Sequence, residues 1–383
     1  MTTTVIVGAG AAGLTCARTL RELDDERSIV VIDKDPDVPY ERPPLSKALV
    51  GPDPAGTGVH ELISAGIRVV FAQALSLDAR AGVLHTTAGV VAYDDLVLAP
   101  GSRPQRADWT SPEIRSLHSW EDSRRLRRAV STAQAAVVVG GGFVGAELAA
   151  SLVSANVPTT LVFRERALFA RRLGQAASDV LTQLHTEAGV ELLAGRSVKA
   201  VHPGDPTRVV LTDGAHVEAD LVIAGLGSRP DTDWLRHTGL LADDGTIQTD
   251  RCLTTTATRI KAAGDSARWA GADGRSLRSA HWSTARAHGR HIAQDLASGS
   301  ETPFTEPPYF WSMQHGSLIQ GIGLVDPQLE QIDVIPAAGP KPGLLVRFTI
   351  DGNTVGALAI NNPHGFVAAR ADVERYPASA LAR

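Results

Sequence analysis

The stretch Thr4-Val5-Ile6-Val7-Gly8-Ala9-Gly10-Ala11-Ala12-Gly13-Leu14-Thr15-Cys16-Ala17 is repeated in pattern at Val137-Val138-Val139-Gly140-Gly141-Gly142-Phe143-Val144-Gly145-Ala146-Glu147-Leu148-Ala149-Ala150. In each, an apolar β-branched run meets a glycine turn and then an alanine-rich helical pattern. That context, rather than the bare spacing, makes a dinucleotide-binding fingerprint. Gly8 and Gly140 allow the tight turn, Gly10 and Gly142 let backbone approach a pyrophosphate, and Gly13 and Gly145 pack helix on strand. The pyrophosphate rests on free N–H groups at the positive helix end, so Ala11, Ala12, Phe143 and Val144 belong to the two seats. One match alone is as readily an ordinary glycine turn. Two in one chain point to two dinucleotides, and the usual reason for that is a flavin reduced by a nicotinamide.

The bulk properties suit such a chain. Its 383 residues, 43% hydrophobic, suffice for two or three domains with cores. A net charge of −5 and a pI near 6.2 give no support to nucleic-acid binding. The longest apolar stretch, residues 133–157, is interrupted by three successive glycines and Glu147, which argues against a membrane span. No signal peptide is read, and Cys16 and Cys252 form neither a C-x-x-C pair nor a metal cluster, so a cytoplasmic protein is expected.

A second repeated signature closes each unit. Tyr93-Asp94-Asp95-Leu96-Val97-Leu98-Ala99-Pro100-Gly101-Ser102-Arg103-Pro104 is echoed by Glu218-Ala219-Asp220-Leu221-Val222-Ile223-Ala224-Gly225-Leu226-Gly227-Ser228-Arg229-Pro230. Each reads as a buried strand entering a Gly/Arg/Pro loop. Between start and return lie β-rich excursions, expected over 69–93 and 191–217. Residues 109–131 link the units, and the run Arg124-Arg125-Leu126-Arg127-Arg128 reads as the solvated face of a helix. Ile260-Lys261-Ala262-Ala263-Gly264-Asp265 is followed by a helix expected over 283–297, then by a proline-rich segment at 303–308 and strands over 317–350 and 355–360. The expected fold is α/β, with two Rossmann-like dinucleotide-binding domains and a small C-terminal α/β domain. The first spans 1–108 and 231–302, the second 109–230, and the last 303–383.

Together with the glycine repeats, Pro39-Tyr40-Glu41-Arg42-Pro43-Pro44-Leu45-Ser46-Lys47, Ala262-Ala263-Gly264-Asp265 and Pro308-Tyr309-Phe310-Trp311-Ser312 carry a resemblance over almost the whole chain. The sequence resembles the FAD-dependent NAD(P)H:ferredoxin reductases of the putidaredoxin-reductase and biphenyl-dioxygenase-reductase type, which serve bacterial oxygenases and cytochromes P450. The wider family carries a C-x-x-x-x-C disulfide after the second strand. Here residues 40–47 hold no cysteine, so electrons are expected to leave from the flavin itself.

The resemblance seats FAD on the first fingerprint. Asp33 stands 33 − 13 = 20 positions past the last glycine, where a carboxylate takes ribose hydroxyls. Asp33 is favoured over Asp35, with Lys34 between them and a solvated turn as the alternative for either acid. By resemblance Asp265, after Gly264, binds the ribityl chain, a role compatible with a helix N-cap. Arg42 and Pro43 would lie against the flavin. Ala99, Gly101, Arg103 and Gly227 line the return loops, where Arg103 is equally read as a surface arginine.

Lys47 and Glu147 meet beside flavin N5 in the family as a buried ion pair. An acid early in a helix also suits the dipole, and a lysine is often solvated, so both bland readings stay open. As a pair they would orient the nicotinamide and stabilise charge during hydride transfer. Trp311 would reach the isoalloxazine edge on the electron-exit side. His281 and Trp282 open a helix whose free N–H groups would face the flavin carbonyl region. Either tryptophan is also read as a core or interface residue.

The second fingerprint would hold the nicotinamide cofactor. An acid after its next strand takes the ribose diol of NADH, whereas arginines take a 2′-phosphate. The chain reads Phe163-Arg164-Glu165-Arg166, with Phe163 where the acid is usual. NADPH is therefore favoured over NADH on Arg164 and Arg166, and Glu165 keeps NADH open. The expected partner is an acidic ferredoxin-type iron–sulfur protein docking on a basic face, with Arg286, His288 and Arg290 as candidates. Departures from the family pattern are Pro100, Ala287-His288-Gly289 and Met313. A reductase acting on a small molecule, quinone or oxygen, and a non-turnover flavoprotein that switches a partner contact, remain alternatives.

Overall fold

Two all-parallel sheets grow from the two glycine fingerprints in the computed structural model, which describes residues 2–37, 39–47, 49, 59–271, 274–336 (backbone only for 330–336) and 341–376. The first runs Ile260–Ala262, Asp95–Leu98, Thr3–Val7, Ser28–Asp33, Arg68–Phe71. The second runs Glu191–Ala194, Thr159–Phe163, Ala136–Val139, Leu221–Ala224. Strands covered on both faces need continuous apolar runs, and Val5, Ile6, Val31, Val97, Val137 and Val138 are fully buried.

The antiparallel excursions begin later than the sequence pattern suggests. Arg68–Phe71 pairs parallel with Ser28–Asp33, and Glu191–Ala194 pairs parallel with Thr159–Phe163. The meanders themselves span 74–92 and 198–219. Short apolar strands of the two kinds share one periodicity, so alternation alone does not separate them. The return loops pair with each other through the antiparallel strands Ser102–Pro104 and Ser228–Pro230.

The linking segment forms the helix Trp120–Val130, started by a capping box between Ser119 and Asp122. Leu126 is buried, while Arg124 and Arg125 pair with Asp37 and Glu121, so the arginine run is a solvated face. Helix Ala11–Leu23 packs along helix Trp282–Ser298. At their crossing a Cβ on Gly289 would overlap the Ala12 carbonyl oxygen.

The C-terminal region is a five-stranded antiparallel sheet in the order Tyr309–Gln314, Ser317–Gly323, Asn353–Ile360, Leu344–Ile350, Glu330–Pro336. Residues 337–340, within the stretch expected to hold strands, and the terminal 377–383 lie outside the described residues. Alternate side chains divide its faces. Ile322, Leu345, Ala357 and Ala359 bury Phe366 and Ala369 of helix Pro363–Arg375. Ile319, Val346, Phe348, Leu358 and Ile360 join the apolar cluster of Val138, Ala149, Leu152 and Leu181 in the second unit. Among the described residues, no helix is long and apolar enough to cross a membrane.

Candidate active site

The C-terminal ends of both parallel sheets open on one cavity of about 2450 Å³, the position where open α/β sheets bind ligands. The two glycine turns that enter it are near copies. Gly8 and Gly140 have φ of +101° and +123°. A Cβ on Gly8 would strike the Ala99 carbonyl, and one on Gly140 the Gly225 carbonyl. A Cβ on Gly13 or Gly145 would strike the carbonyl of Gly8 or Gly140. Gly10 and Gly142, by contrast, face open space within 4 Å. Both are N-caps without a side-chain cap, so the N–H groups of Ala11, Ala12, Phe143 and Val144 are left for a ligand. Two bare helix ends facing one void fit two pyrophosphates.

Around the first cradle most predicted residues line the cavity while engaged with one another. Asp33 accepts the Ala9 N–H at 2.5 Å and the Asp35 N–H at 2.8 Å, and burial raises its carboxyl pKa. Asp35 accepts the Tyr40 hydroxyl at 2.7 Å. Lys34 pairs with Asp231, and Arg103 is held between Asp231 and Asp233, so Arg103 ties loops together rather than standing free. Gly101, at φ +71°, accepts the Asp231 N–H, and Gly227, at φ +89°, accepts the Gln105 N–H. Arg42 donates to His118 Nε2 at 3.0 Å; burial, with Arg42 beside it, holds that histidine pKa near about 3. Asp265 is not a helix N-cap. It lies inside the short turn Gly264–Ser266 and accepts the Ser102 hydroxyl at 2.9 Å.

Helix Trp282–Ser298 presents a third uncapped end to the cavity, with His281 at the N-cap and Trp282 first in the helix. The His281 ring stacks on Phe310 at 4.9 Å and meets the Phe143 edge, and burial pushes its pKa to about 4.

Lys47 and Glu147 come together in the cavity wall. Lys47 Nζ donates to Glu147 Oε2 at 2.9 Å and to the Pro43 carbonyl at 3.1 Å, and lies 4.7 Å from the Trp311 ring centroid. Glu147 is 5% exposed. Its Oε2 also accepts the Ser46 hydroxyl, and its Oε1 accepts the Ser312 hydroxyl at 2.6 Å. The dipole does not explain this acid. Gly142 is the N-cap, so Glu147 falls fifth in helix Phe143–Ser154, beyond the free N–H groups, and the first turn holds no acid. A carboxylate this buried requires its cation and donors.

Ser46, Ser312, Phe310 and His118 were not singled out in the sequence. Ser46 and Ser312 adjoin the quoted Lys47 and Trp311, but a single serine carries no periodic signal.

In the second cradle Phe163 ends strand Thr159–Phe163, and its Cβ stands 2.9 Å from where a Gly141 Cβ would be. An aromatic ring therefore covers the place of an acid. Arg164 and Arg166 are exposed beyond it, with Arg196, paired to Asp213, in the same wall.

His288 does not belong to a docking face. It is fully buried, crossed by Trp269 and Phe304 at 4.6 Å each, and its Nδ1 accepts the Gly264 N–H. Arg286 and Arg290, on the same helix, are exposed. Met313 is half-buried on the Trp311 side of its strand, and Pro100 lines the cavity. Both cysteines are free, and burial raises the Cys16 thiol to about 12. Among the described residues no cluster could hold a metal ion.

Known proteins resemble this chain over most of its length. Human apoptosis-inducing factor 3 is 32% identical over 385 residues, covering 97% of this chain and 63% of that protein, so the chain spans less than two thirds of that relative. The ferredoxin–NAD(+) reductase component of the p-cumate 2,3-dioxygenase system of Pseudomonas putida is 29% identical, covering 96% of this chain and 92% of that one. A ferredoxin reductase for the CYP199A2 system from Rhodopseudomonas palustris superposes with a TM-score of 0.92 at 27% identity, covering 100% of this chain and 98% of that one. The family model described as pyridine nucleotide-disulphide oxidoreductase matches residues 2–289, and the chain belongs to that family.

Proposed function

We propose that the chain is an FAD-dependent oxidoreductase that draws hydride from NAD(P)H and delivers single electrons to a ferredoxin-type iron–sulfur protein. Bound FAD would supply the hydride-accepting ring and the conversion from two electrons to one. The first cradle suits FAD and the second the pyridine nucleotide, with the units divided at 1–108 plus 231–302, 109–230 and 303–383.

The Lys47–Glu147 pair carries the reading. Glu147 holds the ammonium at one point of the shared cavity, and Trp311 covers it. A fixed charge there orients the nicotinamide and stabilises charge that develops in transfer, without reorganisation at the moment of reaction. The uncapped helix end at Trp282 adds positive potential to the first cradle. With no paired cysteine in the chain, no sulfur relay intervenes. The two ferredoxin reductases among its relatives support the partner class. The exposed Arg286 and Arg290, one helical turn apart, suit an acidic partner.

The pyridine nucleotide we infer is NADPH. Phe163 in place of the acid, with Arg164, Arg166 and Arg196 around it, supports that choice, while the NAD(+) in the Pseudomonas relative's name leans the other way. A non-turnover switch is the second reading, favoured by the likeness to apoptosis-inducing factor 3; the intact Lys47–Glu147 pair weighs against it.

The test is anaerobic rapid mixing of purified, FAD-loaded protein with NADPH or NADH, followed by reoxidation with ferredoxin, quinone or air. Lys47→Ala is expected to slow flavin bleaching about tenfold or more while FAD is retained. An unchanged rate removes the pair from the mechanism, and very slow bleaching of the unaltered protein favours the switch.

A further inference from the structure

A chain of hydrogen bonds leaves Glu147 on the side away from Lys47 and runs between the second unit and the C-terminal sheet. Ser312 Oγ donates to Glu147 Oε1 at 2.6 Å, and Gln314 Nε2 donates to Ser312 Oγ at 3.1 Å. His185 Nε2 meets Gln314 Oε1 at 3.0 Å, and His315 Nε2 meets His185 Nδ1 at 3.0 Å. Ser312 and Gln314 are alternate residues of strand Tyr309–Gln314, His185 hangs from helix Gln175–Glu187, and His315 begins the turn to the next strand. Glu147, His185, Ser312 and Gln314 are at most 5% exposed.

Each bond dictates the sense of the next. A carboxylate only accepts, so the Ser312 proton goes to Glu147 and its oxygen must accept from Gln314. That choice fixes the amide, whose Oε1 then faces His185 and requires the proton on His185 Nε2. His185 Nδ1 is left to accept from His315. Burial lowers both histidine pKa values, His315 to about 4, so each ring is neutral with one donor. Four bonds of one sense, three of them buried, polarise one another toward the carboxylate. A glutamine amide does not hand protons on, so the chain orients and does not conduct.

We propose that Ser312, Gln314, His185 and His315 are positioning residues that lock the Glu147 carboxylate, and through it Lys47 Nζ, from outside the nucleotide cleft and so set the rate of hydride transfer. The inference rests on the role given above to the Lys47–Glu147 pair. The terminal torsion of a glutamate is broad. With Lys47 and Ser46 both on Oε2, Ser312 is, among the described residues, the one hydrogen-bond donor to Oε1.

The experiment uses FAD-loaded protein carrying Ser312→Ala, Gln314→Leu, both together, or Ser312→Thr. Ser312→Ala is expected to slow flavin reduction about tenfold, the scale of one lost bond to a charged group. The nucleotide Kd from the same mixing curves stays unchanged, Ser312→Thr restores the rate, and the double variant is no slower than Ser312→Ala. Multiplying effects, or a wild-type rate in Ser312→Ala, overturn the chain. Independently of turnover, 15N–1H NMR of the oxidised protein at pH 7 is expected to show His185 and His315 as Nε2–H tautomers. Gln314→Leu should release that of His185. An Nδ1–H or doubly protonated His185 overturns the chain. A wild-type rate in Lys47→Ala sinks the reading of the pair, and the rate claim with it, even where both tautomers hold.

Discussion

Phe163 stands at the strand end that would carry a ribose-binding acid, and its ring lies over Gly141 instead. The exposed guanidiniums of Arg164 and Arg166 flank it, and a guanidinium matches a phosphate in a way that a diol does not exploit. Steady-state assays are expected to give a higher kcat/KM with NADPH than with NADH, and Arg164→Ser with Arg166→Ser to erase the difference mainly through KM. A preference for NADH that the double variant leaves untouched would return the choice to Glu165. Lys47, Glu147 and Trp311 were legible in the sequence because each sits in a dense motif. Their hydroxyl partners were not, since Ser46 and Ser312 become informative only when distant segments fold onto one carboxylate. The dipole reading of Glu147 fails because the glycine loop, with no capping side chain, starts that helix at Phe143 and leaves Glu147 beyond its first turn.

Helix Ala11–Leu23 packs on helix Trp282–Ser298 with Gly289 facing the Ala12 carbonyl, where a Cβ would come within 2.2 Å of that oxygen. Gly289→Ala must push apart the helix that presents Ala11 and Ala12 to the first cradle. The expected loss is about 2 kcal/mol, from overpacking of a tight contact. Thermal melting and the rate of FAD release on dilution check it, and an unchanged melt with normal FAD retention would show that the pair of helices slides freely. At this scale long elements carry enough pattern in the sequence to be placed. A helix expected over 283–297 is observed at 282–298. The short strands Arg68–Phe71 and Glu191–Ala194 were assigned to the excursions because four residues carry too little pattern to tell a parallel neighbour from a meander.

Four histidines, His118, His281, His288 and His315, are held neutral by burial, with pKa values near about 3, 4, 3 and 4 against an ordinary 6.5. Each would bind a proton in the unfolded chain below pH 6.5 that the folded chain refuses. Their stabilising effect is therefore complete above 6.5 and is lost as pH falls toward 4 for His281 and His315 and toward 3 for His118 and His288. Melting temperatures in excess FAD are expected to decline steadily from pH 6.5 to 5, and His288→Gln to flatten that slope; a level profile over this interval would contradict the burial of these rings. The C-terminal sheet buries one face in the apolar cluster of the second unit. Chimaeras between members of this family should thus exchange residues from both regions as a single cassette. Grafting the last eighty or so residues alone would mate two surfaces that never coevolved, and would yield aggregates instead of a change in preference.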